Sequence, residues 1–289
     1  MAATPFQITI LPPSPALAEH VLFYVARRRA RGGGPVAPWT LHFPANMYSA
    51  LTLVHSGSLR DPCSGTLAPA AALSGTMSRT ASREYLHTPE TTVVVFKPGR
   101  LTDFCRLPAT DLTDHWGDAA SVFTLAEHIE VSDRMAAQPT VARQIVVLEQ
   151  LLMRRFAARH TTQAAALAQA VKSLVWRLPH MRVQELAAQL GWGLRRIERR
   201  FADTFGVSPR MLIRLARLQL ALVQMQRREP LPLARVALIA GFADQAHLAR
   251  EVKALAGFTP SRLAPVLRSP GNSAWAFSAP QDSLAPLSG

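Results

Sequence analysis

Arginine side chains in the last third of the chain are the groups best suited to do chemistry in this sequence. The 289 residues include 32 Lys and Arg against 19 Asp and Glu, a formal net charge of +13 at pH 7. Only Lys97, Lys172 and Lys253 are lysines, so nearly all the basic residues are arginine. Codon usage alone can produce this preference for arginine over lysine, so the net charge is the stronger signal of function. A guanidinium donates two parallel hydrogen bonds to phosphate or guanine. The composition therefore indicates a polyanionic partner: DNA, RNA or an acidic membrane surface.

Signatures of enzymes, metal sites and cofactors are missing from the sequence. Cys63 and Cys105 are too few for a disulfide framework or a four-thiolate zinc site, and we interpret them as two reduced, buried thiols. The histidines are scattered without HxH spacing, and no nucleophile elbow, P-loop or HExxH motif occurs. We predict no catalytic residue, no metal site and no cofactor. Because neither a membrane-spanning run nor a secretory signal is visible, we expect a cytoplasmic protein without a membrane partner.

An internal repeat contains most of these arginines. The first copy, residues 187–212, is AAQLGWGLRRIERRFADTFGVSPRML, and the second, residues 237–263, is ALIAGFADQAHLAREVKALAGFTPSRL. Each copy has a glycine followed by an aromatic residue, then a helical segment, a second glycine, and a Ser-Pro or Thr-Pro pair. Glycine suits the left-handed end of a helix, and Ser or Thr before proline suits the start of the next helix. The pattern predicts two helix-turn-helix units.

The second helix of each unit has one apolar stripe and one polar face. In the first copy Leu194, Ile197 and Phe201 should pack inward, and in the second copy Leu248 and Val252 should do so. The outer faces supply the predicted DNA-binding residues, which are Arg195, Arg196, Glu198, Arg199, Gln245, Ala246, His247 and Arg250. Arginine suits guanine, glutamate suits cytosine N4, and glutamine suits adenine. A salt bridge within its helix is an equal alternative for Glu198, and a phosphate contact is one for His247.

A long helix is predicted between the two copies, from Pro209 to Arg228. Roughly 20 residues at 1.5 Å each span about 30 Å, close to the ~34 Å of one turn of B-DNA. One chain therefore has the dimensions to place two recognition helices in successive major grooves. Residues 182–262 contain 14 Lys and Arg against six Asp and Glu, so most of the excess charge lies here.

The whole sequence indicates an α+β fold in four parts. Residues 1–118 mix short β-branched runs with turns, which predicts a β-rich sensing or dimerisation domain, with one helix over Ala16–Arg29. Helical spacing in residues 119–178 predicts a connector. Residues 179–266 are the predicted all-α DNA-binding domain, and the Pro- and Ser-rich tail 267–289 is expected to be disordered.

The repeat resembles the AraC/XylS family of transcription regulators over residues 182–263, most of all in GFADQAHLAREVKALAGFTPSRL at 241–263. The resemblance implies seven helices with two helix-turn-helix units, base contacts by the outward residues named above, and duplex DNA and RNA polymerase as partners in activation or repression. The sequence departs from the family at Gly193, where a serine N-cap is common, and at Val252, where phenylalanine is usual. The stretch VVVFKPGRLTDFCRLPATDLTDHW at 93–116 resembles the partial cupin-like domain that precedes some of these DNA-binding domains. That second resemblance implies a small-molecule effector or a homodimer.

Three alternatives stay open at this point. Some DNA-repair methyltransferases carry the same DNA-binding module, but their nucleophilic cysteine needs a zinc-held thiolate cluster, and the two cysteines here are far apart. A basic helical bundle with solvated arginines explains neither the paired glycine–aromatic turns nor the paired proline caps. An RNA-binding protein would present aromatic residues on a strand platform, and aromatic residues make up only 7% of the chain.

Overall fold

The computed structural model describes residues 6–29, 38–105, 107–157 and 177–268, together with Leu167, Ala170 and Val171. Within these residues the chain has the predicted α+β class, because an antiparallel sheet with its own helices is followed by an all-α domain. The strands are β1 Phe6–Leu11, β2 Val21–Arg29, β3 Trp39–Phe43, β4 Ser49–Arg60, β5 Ala71–Ser74, β6 Ala81–Phe96 and β7 Trp116–Asp118.

Strand β6 organises the sheet, because its 16 residues pair with three neighbours. Its last part pairs with β2 and with the start of β4, whereas its first part pairs with β3 and with the end of β4. Register shifts between Val54 and Ser58 mark a bulge where the long β4–β6 pair is distorted. The predicted strand TTVVVF at 91–96 is the last part of β6, and its Val94 and Phe96 side chains are fully buried.

The helix predicted over Ala16–Arg29 is wrong. Pro15–Leu17 form a 3-10 turn, and Val21–Arg29 form β2, which lies between β1 and β6 and pairs with both. The segment VLFYVARRR has β-branched and aromatic residues. Because both backbone edges of this segment are satisfied by neighbouring strands, tertiary pairing outweighs an apolar spacing that also fits a helix.

Helices α1 Leu101–Phe104, α2 Leu125–Ala136 and α3 Val141–Ala157 share a core with the face of the sheet that contains Tyr24. The buried Glu149 carboxylate of α3 accepts hydrogen bonds from the Ser14 backbone N–H at 2.8 Å and from the Tyr24 hydroxyl at 3.0 Å. Burial and this carboxylate raise the pKa of Tyr24. Helices α2 and α3 of the predicted connector therefore pack on the sheet, whereas its Leu167 and Val171 are buried in the core of the all-α domain. Most of residues 158–176 lie outside the described residues.

The prediction of two buried thiols is correct for Cys105 and wrong for Cys63. Cys105 follows α1 and packs in the core beneath the helices. Cys63 lies exposed in the turn after β4, where its backbone N–H donates to the Asp61 carboxylate at 2.9 Å. This turn is stabilised by its own side chains at the surface, so the Cys63 thiol stays exposed.

The all-α domain has six α-helices within residues 177–268, one fewer than the family resemblance implies for a complete domain. They are α4 Val183–Gln189, α5 Leu194–Phe205, α6 Pro209–Gln226, α7 Leu233–Ile239, α8 Gln245–Ala256 and α9 Pro260–Arg268. One core joins them, and the predicted inward residues Ile197, Phe201, Leu248 and Val252 are fully buried in it.

Two further features concern the end of this domain and the helices of the described ranges as a whole. Helix α9 continues to Arg268, inside the predicted tail, and residues 269–289 lie outside the described residues. Among the helices of the described ranges, none is both long and apolar enough to cross a membrane.

Candidate nucleic-acid interface

The first helix-turn-helix unit consists of α4, a turn at residues 190–193, and α5. Gly191 has a φ of +64°, so the chain turns in the left-handed region that glycine adopts without a Cβ clash. Gly193 has an extended backbone and gives α5 no side-chain cap, which agrees with its departure from the usual serine. The exposed side chains of α5 include all four predicted DNA-binding residues, Arg195, Arg196, Glu198 and Arg199.

The start of α5 differs from the prediction in one respect. Leu194 is 52% exposed, so the inward position predicted for it is wrong. It is the first residue of the helix and is not part of the core that Ile197 and Phe201 fill. The Arg196 guanidinium lies over the Trp192 ring, 4.9 Å from its centroid, which restricts the directions in which Arg196 extends.

The second unit consists of α7, a turn at Gly241 with a φ of +76°, and α8. The Asp244 carboxylate caps α8 by accepting a hydrogen bond from the His247 backbone N–H at 2.6 Å. The His247 ring lies edge-on to Phe242, with centroids 5.4 Å apart, and is only partly exposed. The predicted residues of α8 that are exposed are Gln245, Ala246 and Arg250.

Helix α6 joins the two units and is two residues shorter than predicted, ending at Gln226. The Ser208 hydroxyl accepts from the Met211 backbone N–H at 3.2 Å and Pro209 is the first helical residue, which confirms the predicted cap. Its 18 residues give a length of about 27 Å at 1.5 Å per residue.

Two arginines of α6 fix the units relative to each other. Arg214 forms a two-pronged ion pair with Glu251 of α8, with Nε–Oε2 and Nη2–Oε1 distances of 2.9 and 3.2 Å. Arg217 donates from Nε to the Pro179 carbonyl oxygen, just before the first unit, at 2.5 Å. Burial lowers the pKa of Arg217, and Glu251 opposes that shift. A Cβ on Gly241 would lie 2.5 Å from the same Pro179 oxygen, so the segment before the first unit packs directly on the turn of the second.

Sequence reasoning missed a cluster of arginines between the units. Arg182, Arg210, Arg214 and Arg217, with His247 and Glu251, line a cleft of about 420 Å³. A signal was available, because positions 210, 214 and 217 are spaced i, i+4 and i+7 and share one face of α6. Arg214 and Arg217 of this stripe hold the two units together, and Arg210 is exposed.

The β-rich domain contacts the carboxyl ends of both recognition helices. The Thr113 hydroxyl lies 3.0 Å from the carbonyl oxygen of Gly206, the residue that ends α5. The Ala45 backbone N–H donates to the Leu255 carbonyl oxygen in the last turn of α8 at 2.7 Å. Ala45 and Met47 are buried in the core of the all-α domain. The sheet domain and the two candidate DNA-contacting helices are thus directly joined.

A cavity of about 60 Å³ lies inside the sheet, next to these contacts. Its wall includes Asn46 and Tyr48, which belong to the segment that docks on α8, and the buried Arg27 and Arg83. Arg83 is paired with Asp61 at 3.0 Å, whereas Nε of Arg27 is buried without a hydrogen-bond partner in the described structure. Within the described ranges, no three His, Cys, Asp or Glu side chains are grouped so as to hold a metal ion.

Comparison with known proteins matches the repeat region to a family. Residues 186–264 match a family model described as a helix-turn-helix domain. The solved structure of ToxT from Vibrio cholerae O395 has a TM-score of 0.46 at 12% identity, covering 91% of this chain and 98% of that chain. An apo ToxT variant from Vibrio cholerae strain SCE256 has a TM-score of 0.45 at 13% identity, with 91% and 98% covered. A xylose-binding transcription activator, XylR, has a TM-score of 0.33 at 17% identity, with 39% and 30% covered. No curated protein sequence matches this chain.

Proposed function

We propose that this chain binds a bipartite DNA site with α5 and α8 in successive major grooves. The chain is a DNA-binding transcription regulator, and its residues 186–264 form an AraC-type helix-turn-helix domain. The observation that carries the proposal is the joining of two polar recognition faces by one helix of about 27 Å. That length is close to the ~34 Å between equivalent points on successive turns of B-DNA. A single chain then contacts one face of the duplex twice.

The two recognition helices have different roles in this proposal. Arg195 and Arg199 of α5 are exposed and have the fork that binds guanine O6 and N7. Glu198 has no ion pair among the described residues, so its carboxylate is available to cytosine N4. Among the predicted residues of α8, Gln245 and Arg250 have exposed polar groups, whereas Ala246 is apolar and His247 is held in the turn. The first unit therefore supplies most of the sequence preference, and the second contributes more to positioning.

Selection of random duplex DNA with the purified chain tests this function. The expected product is a motif with two conserved blocks whose centres lie about 10 base pairs apart. A footprint of the winning site should protect one face of the duplex. A single uninterrupted block, or no enrichment at all, would contradict the two-groove arrangement.

We further propose that the sheet domain senses an effector with an acidic group. Arg27, whose buried Nε has no hydrogen-bond partner among the described residues, lines a cavity whose wall includes the segment docked on α8. A buried cation without a counter-charge is unfavourable, so an anion that reaches it is stabilised. Because the same domain also contacts the end of α5, ligand binding in the cavity would act on both recognition helices.

Millimolar acetate and its neutral analogue acetamide separate charge recognition from simple filling of the cavity. Acetate should raise the melting temperature of the wild-type chain, acetamide should not, and Arg27→Gln should abolish the acetate effect. Equal responses of the wild type and Arg27→Gln would remove Arg27 from the proposal.

Dimerisation completes the proposed function. Leu125 and Ile129 of α2 and Val146 of α3 are 65%, 51% and 53% exposed, which is unusual for side chains of this size on two neighbouring helices. A second copy of the chain would cover them. Sedimentation of wild type against Val146→Asp measures this: the variant should lose a concentration-dependent dimer that the wild type forms.

A further inference from the structure

The cleft between the two helix-turn-helix units has an excess of positive charge. Four guanidinium groups line it, from Arg182, Arg210, Arg214 and Arg217, and Glu251 supplies the one carboxylate among its lining residues. The cleft of about 420 Å³ is open to solvent, so the site is accessible to a partner.

The arginines of the cleft fall into two pairs. Arg214 and Arg217 are already bound, to Glu251 and to the Pro179 carbonyl oxygen, and they hold the walls together. Arg182 and Arg210 are exposed, and in the described part of the chain neither has an ion-pair partner. The walls of the cleft are therefore fixed, while two cations at its rim stay available to a ligand.

The position of the cleft relative to α8 identifies that ligand. On the α8 surface, Ala246 and Arg250 lie opposite the buried stripe of Leu248 and Val252. His247 and Glu251 flank this outward face on one side and also line the cleft. A duplex whose major groove accepts the outward face of α8 must carry one of its phosphate backbones along a flank of that helix. On the cleft side, such a backbone would lie between the two units.

We propose that the cleft binds the phosphodiester backbone between the two major grooves, with Arg210 and Arg182 donating to phosphate oxygens. This inference rests on the proposed DNA-binding function and adds a third contact to it. Phosphate contacts fix register and carry no base information. The cleft would therefore strengthen binding to any sequence and hold the duplex so that α5 and α8 enter their grooves together.

Arg210→Gln and a matched control, Arg228→Gln, separate this contact from a general effect of charge. Arg228 is also exposed and lies beyond the far end of α6, so both variants lose one positive charge. For Arg210→Gln, the slope of log K against log salt concentration should become shallower by about 0.9, the value for one phosphate contact. Arg228→Gln should change the slope by clearly less, and both variants should keep the selected base preference and the circular dichroism spectrum of the folded chain.

Methylphosphonate substitution locates the contact on the DNA. In the selected site, each phosphate between the two blocks is replaced in turn by the neutral group. At one or two positions the wild type should lose about fivefold or more in affinity, and at those positions Arg210→Gln should lose less than about twofold, because its contact is already gone. Equal losses for the wild type and Arg210→Gln at every position would overturn the proposal. A wild type that binds no bipartite site would instead show that the proposed function has failed.

Discussion

A comparison of Gly241→Ala with Gly191→Ala tests how the second unit is held against the first. Both glycines have left-handed backbones, with φ of +76° and +64°, so alanine meets a similar intrinsic cost of roughly 1 to 2 kcal/mol at each. Their surroundings differ. A Cβ at position 191 meets nothing within 4 Å, whereas one at position 241 lies 2.5 Å from the Pro179 carbonyl oxygen. The difference between the two variants therefore isolates the effect of close packing between the units.

The expected loss in the free energy of unfolding depends on how far the Pro179 backbone would have to move. Pro179 accepts the Arg217 hydrogen bond at 2.5 Å, so shifting its backbone to admit a methyl group disturbs that contact as well. Forcing an extra carbon into packed surroundings costs about 1–3 kcal/mol. We therefore expect Gly191→Ala to lower the free energy of unfolding of the all-α domain by about 1 to 2 kcal/mol, and Gly241→Ala by about 2 to 5 kcal/mol.

Urea unfolding followed by circular dichroism at 222 nm measures both variants against the wild type. The slope of the free energy against urea concentration should stay unchanged, so that the midpoints report stability alone. Equal losses for the two alanine variants would refute the reasoning, because they would show that the turn of the second unit is not packed on Pro179. A larger loss at Gly191 would contradict it as well.

Three further predictions concern Arg199, the Arg214–Glu251 ion pair and His55. Arg199→Ala should weaken binding to the selected site by about 1–3 kcal/mol and relax one base position, as measured by competition with single-base variants; an unchanged preference would remove it from the base contacts. Arg214→Gln and Glu251→Gln should each destabilise the all-α domain, and the double variant should lose about 1 kcal/mol less than the sum of the two; additive losses would show that the pair is not coupled. Burial lowers the pKa of His55 from 6.5 to about 4. Because the unfolded chain then binds the proton more tightly than the folded one, the free energy of unfolding should fall as the pH drops from about 6.5 towards 4, by up to about 2 kcal/mol at pH 5. His55→Asn should reduce that fall, and a fall of the same size in this variant would assign it to other groups.

Because of the repeat, much of the structure of the all-α domain could be predicted from the sequence. Gly191 and Gly241 occupy the left-handed turns that the pattern requires, and Ser208 caps α6 as predicted. These are local rules, since each depends on a residue's own backbone and its nearest neighbours along the chain. The inward positions of Ile197 and Phe201 follow from helical spacing for the same reason.

The features that the sequence did not predict depend on contacts between distant segments. The Arg217–Pro179 and Thr113–Gly206 contacts join residues 38 and 93 positions apart. Apolar spacing over residues 16–29 fits both a helix and a strand, and only the pairing of β2 with β1 and β6 decides between them. The exposure of Leu194 was not predicted for a different reason, because helical spacing gives the direction of a side chain and does not show where the core ends.

The spacing of the two half-sites tests the central claim most directly. The affinity of the wild-type chain would be measured for the selected site and for versions with 5 or 10 base pairs inserted between its two blocks. Because α6 is one helix tied to both units by Arg214 and Arg217, both insertions should lower affinity by about 30-fold or more, the equivalent of losing at least two base contacts. Full affinity with the 10-base-pair insertion, which restores the face of the duplex but not the distance, would contradict a single rigid chain that spans successive major grooves.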